Sequence, residues 1–342
     1  MEIKSKAVEI ESNIVEARYY TKSGKKVKCS LCRHGCTIPL GKKGICKVRE
    51  NRDGKLISLV YGKPISTAID PIEKKPIFHF HPGASTLSYS TCGCNFKCSF
   101  CQNWQISQQI MEDIEYFPPD EMIFLAKRKN AEIIAHTYTE PTIFFEYAFD
   151  IAKLSNKIGM KNIFVTNGYI ETNPLKDISP YLDAANIDLK TFNDRFYKEL
   201  CGAELDEVLK SIKSYKKLGI WIELTNLIIP GHNDDMEEIK QMCEWIKSNC
   251  GSETPLHFSR YFSHHKMKAP TTSENTLMKA HSIAKETGLR YVYIGNISSK
   301  FENTFCWKCG NEVINRSRFN IVENHLKKGR CSKCDTKIDI IC

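Results

Sequence analysis

Between residues 85 and 294 the sequence alternates short apolar runs with amphipathic stretches, and that alternation limits the possible folds more than any other feature. Strands are predicted at 85–90, 133–137, 162–166, 184–189, 221–229, 256–261 and 289–294. Helices are predicted between them at 141–158, 205–218, 236–248 and 276–287. Pro141 suits a first helical turn, and Gly159 and Gly219 stand where two of the helices should stop. The pattern predicts an α/β fold: a parallel sheet with right-handed crossovers, open or closed into a barrel. Ligands in such folds gather at the C-terminal ends of the strands. The polar motifs should therefore follow strands, and they do.

Thr137-Tyr138-Thr139-Glu140-Pro141 follows the second strand. A carboxylate there can accept from an ammonium group, or simply cap the helix that Pro141 begins. Thr166-Asn167-Gly168 ends the third strand. Its glycine permits a sharp turn, and its two polar side chains can hydrogen-bond a ligand, or the segment is a turn and nothing more. Asp188-Leu189-Lys190 ends the fourth strand. Period-two geometry puts Asp188 and Lys190 on one face, where opposite charges are expensive unless paired or used. Ile229-Pro230-Gly231-His232-Asn233-Asp234 reads as a structural turn. Glu223 is expected to face inward. His257 is either a satisfied core residue or a ligand neighbour, and Tyr261, His264 and His265 border the expected entrance.

Sixteen cysteines fall mostly into three groups. Cys94, Cys98 and Cys101 form C-x3-C-x2-C, a spacing that lets three thiolates converge on one iron–sulfur cluster. A cubane held by four cysteines is closed. One held by three leaves an iron open to substrate, as catalytic zinc keeps an open position. Cys92 could supply a fourth ligand and close the cluster. Cys306, Cys309, Cys331 and Cys334 are two C-x2-C knuckles separated by 21 residues, which suits a structural tetrahedral site, zinc or rubredoxin-like iron. Cys29, Cys32, Cys36 and Cys46 are less regular: a second metal or iron–sulfur site, or reduced thiols. Cys201, Cys243, Cys250 and Cys342 are read as packing residues or surface thiols.

Three regions follow: a Cys-rich N-terminal cap at 1–83, a core at 84–300 and a metal-binding tail at 301–342. Lys and Arg exceed Asp and Glu by 49 to 40, a net +9 that fits an RNA or acidic partner but equally a Lys-rich surface. No apolar run of about 18 residues predicts a membrane span. Residues 1–6 lack the apolar region of a signal peptide, and clustered cysteines bind metal more often than they pair in a reducing compartment, so a cytoplasmic location is expected.

The three-cysteine loop, with Phe100 just before its last thiol, resembles the radical S-adenosylmethionine (SAM) superfamily. That resemblance implies a 4Fe–4S cluster on Cys94, Cys98 and Cys101, whose open iron chelates the amino and carboxylate groups of SAM. Glu140 stands where similar activating enzymes carry Gly-Gly-Glu-Pro against the SAM amino group, although Tyr138-Thr139 replace the glycines here. By the same likeness Thr166, Asn167, Asp188, Lys190 and His257 belong to the SAM site. The N-terminal Cys-x2-Cys-x3-Cys block, Cys98-Ser99-Phe100-Cys101-Gln102-Asn103-Trp104, Tyr138-Thr139-Glu140-Pro141-Thr142, Tyr293-Ile294-Gly295-Asn296 and the knuckle tail are similar to the radical SAM enzyme of the AmmeMemoRadiSam system, a relative of the glycyl-radical activating enzymes. This implies a partial (β/α)6 barrel with a zinc-ribbon-like tail, a ferredoxin or flavodoxin reductant, and partners of the Memo and AMMECR types. Two other functions stay open: a radical SAM enzyme acting on RNA, and a non-enzymatic iron–sulfur or zinc adaptor.

Overall fold

Each strand expected between 85 and 294 forms, the largest displacement being the last, which starts at Val292 rather than 289. In chain order the core elements are β1 (Ser85–Ser90), α1 (Pro119–Arg128), β2 (Ile133–His136), α2 (Phe145–Asn156), β3 (Lys161–Thr166), β4 (Ala184–Asp188), α3 (Leu205–Lys217), β5 (Trp221–Ile228), α4 (Met236–Cys250), β6 (Leu256–Arg260), α5 (Glu274–Thr287) and β7 (Val292–Gly295). This computed structural model describes residues 14–297 and 299–342; residues 1–6, read for a signal peptide above, lie outside the described residues. Among the described residues, no helix is long and apolar enough to cross a membrane.

Two of these helices depart from expectation. The stretch from Pro141 opens with a 3-10 turn, Pro141–Phe144, before the α-helix proper begins at Phe145. Helix α1 was not expected from the sequence, yet it carries ordinary signals. Pro119 sits at its first position, Asp120 and Glu121 in its first turn, and Lys127 and Arg128 in its last.

The chain divides into two units. One holds the described residues up to Ile69 with Leu87–Lys97 and Asn103–Asp183. In it β2 and β3 pair in parallel from Ile133↔Lys161 to Phe164↔His136. All of β2 is buried, as expected for a parallel strand covered on both faces. The cap consists of two small antiparallel sheets, Tyr20–Ser23 with Lys26–Cys29 and Thr37–Ile38, and Val15–Glu16 with Lys55–Ser58 and Arg49–Arg52. A buried ion pair fastens the cap to α2: the Arg49 guanidinium donates to both carboxylate oxygens of Glu146, at 2.9 and 3.0 Å.

The other unit holds Asp70–Thr86, Cys98–Gln102 and Ala184–Cys342. Its strands β4, β5, β6 and β7 are parallel neighbours, and Asp188, Thr225, His257 and Tyr293 stand in one row across them. Asp235 and Ser273 cap α4 and α5 by accepting from first-turn amides. The tail is not an independent appendage. Cys306, Cys331, Val313 and Ile338 share a core with Phe78, Tyr291 and Tyr293. Arg316, on the tail strand Glu312–Ser317, is buried and donates to the Phe78 carbonyl (2.8 Å) and to Thr304 (2.7 Å).

Candidate active site

Glu140 organises the strand ends of the first unit. Its carboxylate is buried and accepts from the Thr142 amide (3.0 Å) and hydroxyl (2.6 Å), the Thr166 hydroxyl (2.8 Å) and the Asn167 amide (2.8 Å). Three of these donors converge on Oε1, while Oε2 takes the Asn167 amide. Burial pushes its carboxyl above the usual range, with the Thr142 and Asn167 bonds working against the shift. It therefore caps the turn at Pro141 and also latches β3 to the turn after β2. The segment that replaces the two glycines keeps glycine-like geometry. Tyr138 adopts φ +63°, and its carbonyl accepts from Asn103 Nδ2 at 2.7 Å.

Asn167 carries the arrangement onward to the first cysteine of the loop. Its Nδ2 donates to Asn95 Oδ1 at 2.7 Å and lies 3.9 Å from Cys94 Sγ, while its Oδ1 accepts from the Tyr169 amide at 3.0 Å. Gly168 follows at φ +72°. The Phe96 amide also donates to Cys94 Sγ, at 3.3 Å. Asn95 Nδ2 is buried with no acceptor among the described residues. These amides around one sulfur fit a thiolate ligand, because hydrogen bonds to sulfur tune iron–sulfur centres. Cys92 is buried; burial raises its thiol pKa, against a hydrogen bond from the Met111 backbone.

The second unit assembles the rest of the motif in its own surroundings. Cys98 is buried, and a hydrogen bond from Cys201 holds its thiol below the ordinary range. Cys201 closes a turn of π-helix, Tyr197–Cys201, an irregularity that gathers at functional sites. Sequence reading took Cys201 for a packing residue, and nothing in its local spacing signals the contact. Lys190 pairs with Asp188 at 2.8 Å, and its ammonium stands 5.9 Å from the centre of the Phe100 ring. Burial opposes its charge, but Asp188, Cys98 and Cys201 outweigh that and raise its pKa well above the usual value. Tyr197 and Asn233 hold the Lys190 backbone by accepting from its amide (3.0 Å) and donating to its carbonyl (2.6 Å). The turn expected at Asn233 thus fixes Lys190.

His257 has partners of its own. Its Nε2 lies 2.7 Å from Glu223, and its ring stacks on Tyr293 with centroids 5.0 Å apart. Glu223, expected to face inward, is fully buried and also accepts from the Phe78 and His79 amides at 2.9 and 2.7 Å. Burial works against its charge, and these donors still keep its carboxyl below the usual range. Tyr261 is buried with its hydroxyl on the Met267 carbonyl at 3.1 Å, so it braces a loop. That loop accounts for Ser99, whose carbonyl accepts from the Lys266 and Met267 amides.

The tail cysteines form a compact tetrad. Cys306 and Cys334 sulfurs are 3.6 Å apart, Cys309 and Cys331 sulfurs 3.7 Å, and all four lie within 4.8 Å of one another. A hydrogen bond with Thr336 brings the Cys334 thiol down to about 6. Thiolates so placed can hold a metal ion.

Comparison with known proteins agrees with this chemistry. Residues 88–246 match the model of the radical SAM superfamily. An uncharacterized protein of Methanocaldococcus jannaschii is 45% identical over 333 residues, covering 95% of this chain and 99% of that protein. The pyruvate formate-lyase-activating enzyme of Clostridium pasteurianum is 23% identical over 180 residues, 49% of this chain and 71% of that enzyme. Among solved structures, a radical SAM methyltransferase from Sphaerobacter thermophilus has the same fold with a TM-score of 0.53 at 12% identity, covering 90% of this chain and 85% of that one. The motif, the strand-end residues beside it and these likenesses lead to one family: the chain is an enzyme of the radical SAM superfamily, which implies a 4Fe–4S cluster and SAM.

Proposed function

We propose that this chain is the radical SAM component of an AmmeMemoRadiSam-type system, a partial (β/α)6 barrel that uses SAM to abstract hydrogen from a protein substrate. The observation that carries the reading is the hydrogen-bonded path from Glu140 through Asn167 to Asn95 and Cys94. A strand-end carboxylate linked through Asn167 to the cluster loop answers to a site in which cofactor and SAM must keep fixed relative positions. Cys94, Cys98 and Cys101 are the three ligands, leaving one iron for SAM. A cluster held by these three thiolates would supply one-electron reductive cleavage of the sulfonium C–S bond of SAM.

The protein's own groups bind and orient. Glu140 fixes Thr166 and Asn167 toward the SAM ribose and carboxylate, and its less occupied Oε2 is the acceptor for the SAM ammonium. Asp188 and Lys190 hold the methionyl part. Asp188 is 36% exposed and offers its second oxygen, while the half-buried Lys190 ammonium offsets the charge of Cys98. Phe100 walls the loop against Phe196 at 5.6 Å, and His257 braces β6 from within.

The tail is assigned a structural zinc. Two of its sulfur separations, 3.6 and 3.7 Å, match the edge of about 3.8 Å that a Zn–S bond of about 2.3 Å gives a tetrahedron. Electrons come from a ferredoxin or flavodoxin, and the substrate is a Memo-type or AMMECR-type partner or a protein delivered by one. None of the described cysteines is in a disulfide, in keeping with work in the reducing cytoplasm.

The test is anaerobic reconstitution with iron and sulfide, then SAM and a strong reductant. The expected product is 5′-deoxyadenosine, abolished in Cys98→Ala, with deuterium carried into it from a labelled partner protein. Iron-replete protein that makes none would end the proposal.

A further inference from the structure

Outside the three-cysteine loop, four more thiols share one space. A small cavity is lined by Cys29, Cys32, Cys36 and Cys46 together with His34 and Arg49. Leu31, Ile38, Ile45 and Ile143 complete its walls. Cys29 and Cys46 are buried, and Cys32 and Cys36 half-buried. The local chain is built to bring them together. The Cys29 amide donates to the Cys36 carbonyl at 2.9 Å, and Gly35, at φ +54°, lets the loop return on itself. Gly44 carries the chain past Cys36, where an added Cβ would meet Ile38 at 3.2 Å.

A second observation points to a ligand. Arg49 is 2% exposed, and its terminal nitrogens are engaged by Glu146 and the Arg18 carbonyl. Its Nε is buried with no acceptor among the described residues. An unanswered buried donor is costly, and its residue lines a thiol-rich cavity. Sulfide or thiolate sulfur is the acceptor that such a donor suits. Reduced cysteines used only for packing would need neither the shared cavity nor the donor.

The tail tetrad closes within 4.8 Å, as ligands of a single tetrahedral ion must, and among the described residues the N-terminal four form no such group. Thiolates on different irons of a cubane stand farther apart than that.

The cavity also adjoins the Cys94 loop. His34, between Cys32 and Cys36, lies with its Nε2 2.8 Å from the Asn95 carbonyl. Gly93 packs so closely on the cap that an added Cβ would meet the Cys46 carbonyl at 2.9 Å and Val48 at 2.7 Å. One peptide unit, ~3.8 Å between Cα atoms, then leads from Gly93 to Cys94.

We propose that Cys29, Cys32, Cys36 and Cys46 hold a second iron–sulfur cluster, of the 4Fe–4S type, with Arg49 Nε donating to one of its sulfurs. Its function is to relay single electrons to the Cys94 loop. The reduced cap cluster gives up one electron, the cluster of Cys94, Cys98 and Cys101 gains it, and a one-electron carrier protein of the flavodoxin or ferredoxin class replaces it. No atom is transferred. The relay rests on the radical SAM reading; the binding site does not.

The experiment counts acid-labile sulfide in the full chain after anaerobic reconstitution. Wild type should carry about eight sulfides, and the folded Cys94→Ala/Cys98→Ala/Cys101→Ala variant about four, with a reducible cubane signal by electron paramagnetic resonance. Adding Cys32→Ser and Cys36→Ser to that variant should remove the remaining sulfide. About four in wild type and none in the triple variant would overturn the site, and if the variant fails to fold, the wild-type count alone decides. This readout needs no SAM chemistry, so its failure is distinct from failure of the proposed function. For the relay, Cys32→Ser/Cys36→Ser should lower the rate of 5′-deoxyadenosine formation driven by flavodoxin at least tenfold more than the dithionite-driven rate. Equal losses with both reductants would overturn the relay.

Discussion

Asn167 donates its side-chain amide to Asn95 at 2.7 Å, and so ties the end of β3 to the residue beside the first cysteine of the C-x3-C-x2-C loop. Because Glu140 in turn accepts from the Asn167 amide at 2.8 Å, one carboxylate governs the position of both. Replacing Asn167 by Ala leaves Asn95 Oδ1 without this donor and lets the loop drift. Misplacement on the order of 1 Å costs ~100-fold in rate. Asn167→Ala should therefore retain its iron and lower 5′-deoxyadenosine formation by roughly that factor. Metal analysis and product assay on the same preparation check it, and full activity would dissociate Asn167 from the site.

Tyr138 tests whether the site needs a glycine's geometry or a tyrosine's ring. Its φ of +63° is strained for most side chains and free for glycine. Tyr138→Gly relieves strain in the folded state but gives the unfolded chain more freedom, so stability should stay within ~1 kcal/mol. Tyr138→Val, β-branched at positive φ, should lose ~2 kcal/mol. Urea unfolding of the two variants distinguishes them. Equal effects would show that the backbone conformation here carries no strain.

How much of this was legible in the sequence depends on whether a contact is local. Glu140, Asn167, Asp188 and Lys190 could be assigned to strand ends because strand period and strand termini are local properties. The signals of α1 were equally local: Pro118-Pro119 before Asp120 and Glu121, and a basic last turn. Cys201 was different. Its contact with Cys98 depends on a π-turn and on a packing partner about one hundred positions away in the chain, and no spacing rule reaches either. The same holds for the pairing of His257 with Glu223, and of Arg316 with the Phe78 carbonyl, which join distant strands through side chains whose direction only the folded chain fixes.

Cys201 yields its own prediction. A thiol that donates to the Cys98 sulfur stabilises the more negative, reduced state of a cluster held there. Cys201→Ala should keep the iron and sulfide content, lower the reduction potential, and slow SAM cleavage more with a weak reductant than with a strong one. Potentiometric titration followed by electron paramagnetic resonance reads the shift. Loss of iron in this variant would make Cys201 a ligand and not a donor.

His79 predicts an acid limb to stability. Buried between the Asp339 carbonyl at 2.6 Å and the Tyr293 hydroxyl, it is held neutral; burial drives its pKa down to about 4, with the Glu223 charge opposing. The unfolded chain would titrate near 6.5, so between those values it binds more protons than the folded chain, and stability must fall as pH falls. Full stability is present above pH ~6.5 and up to ~3 kcal/mol is lost by pH ~4. Thermal unfolding from pH 7.5 to 4 should show this drop, and His79→Gln should flatten part of it. Further parts of it belong to His136, which burial holds down to about 3, and to His281, which burial holds down to about 4.

Removing metal from the tail should disturb more than the tail. Cys306 and Cys331 are ligand candidates and at the same time members of the core that contains Phe78, Tyr291 and Tyr293. Tyr293 stacks on His257, which pairs with Glu223, so a loosened tetrad is felt along β5, β6 and β7. Structural metal sites contribute their binding free energy to folding, ~10 kcal/mol for zinc in small peptides, and only part of that is recovered when four thiolates reprotonate. Chelation, or Cys309→Ser at the exposed ligand, should release one metal per chain and lower the melting temperature of the whole second unit. An isolated local transition in the tail is not expected. Hydrogen exchange identifies which it is: faster exchange at Leu224 and Phe258 as well as at Val313 supports the shared core, whereas a change confined to residues 301–342 would show that the tail folds by itself.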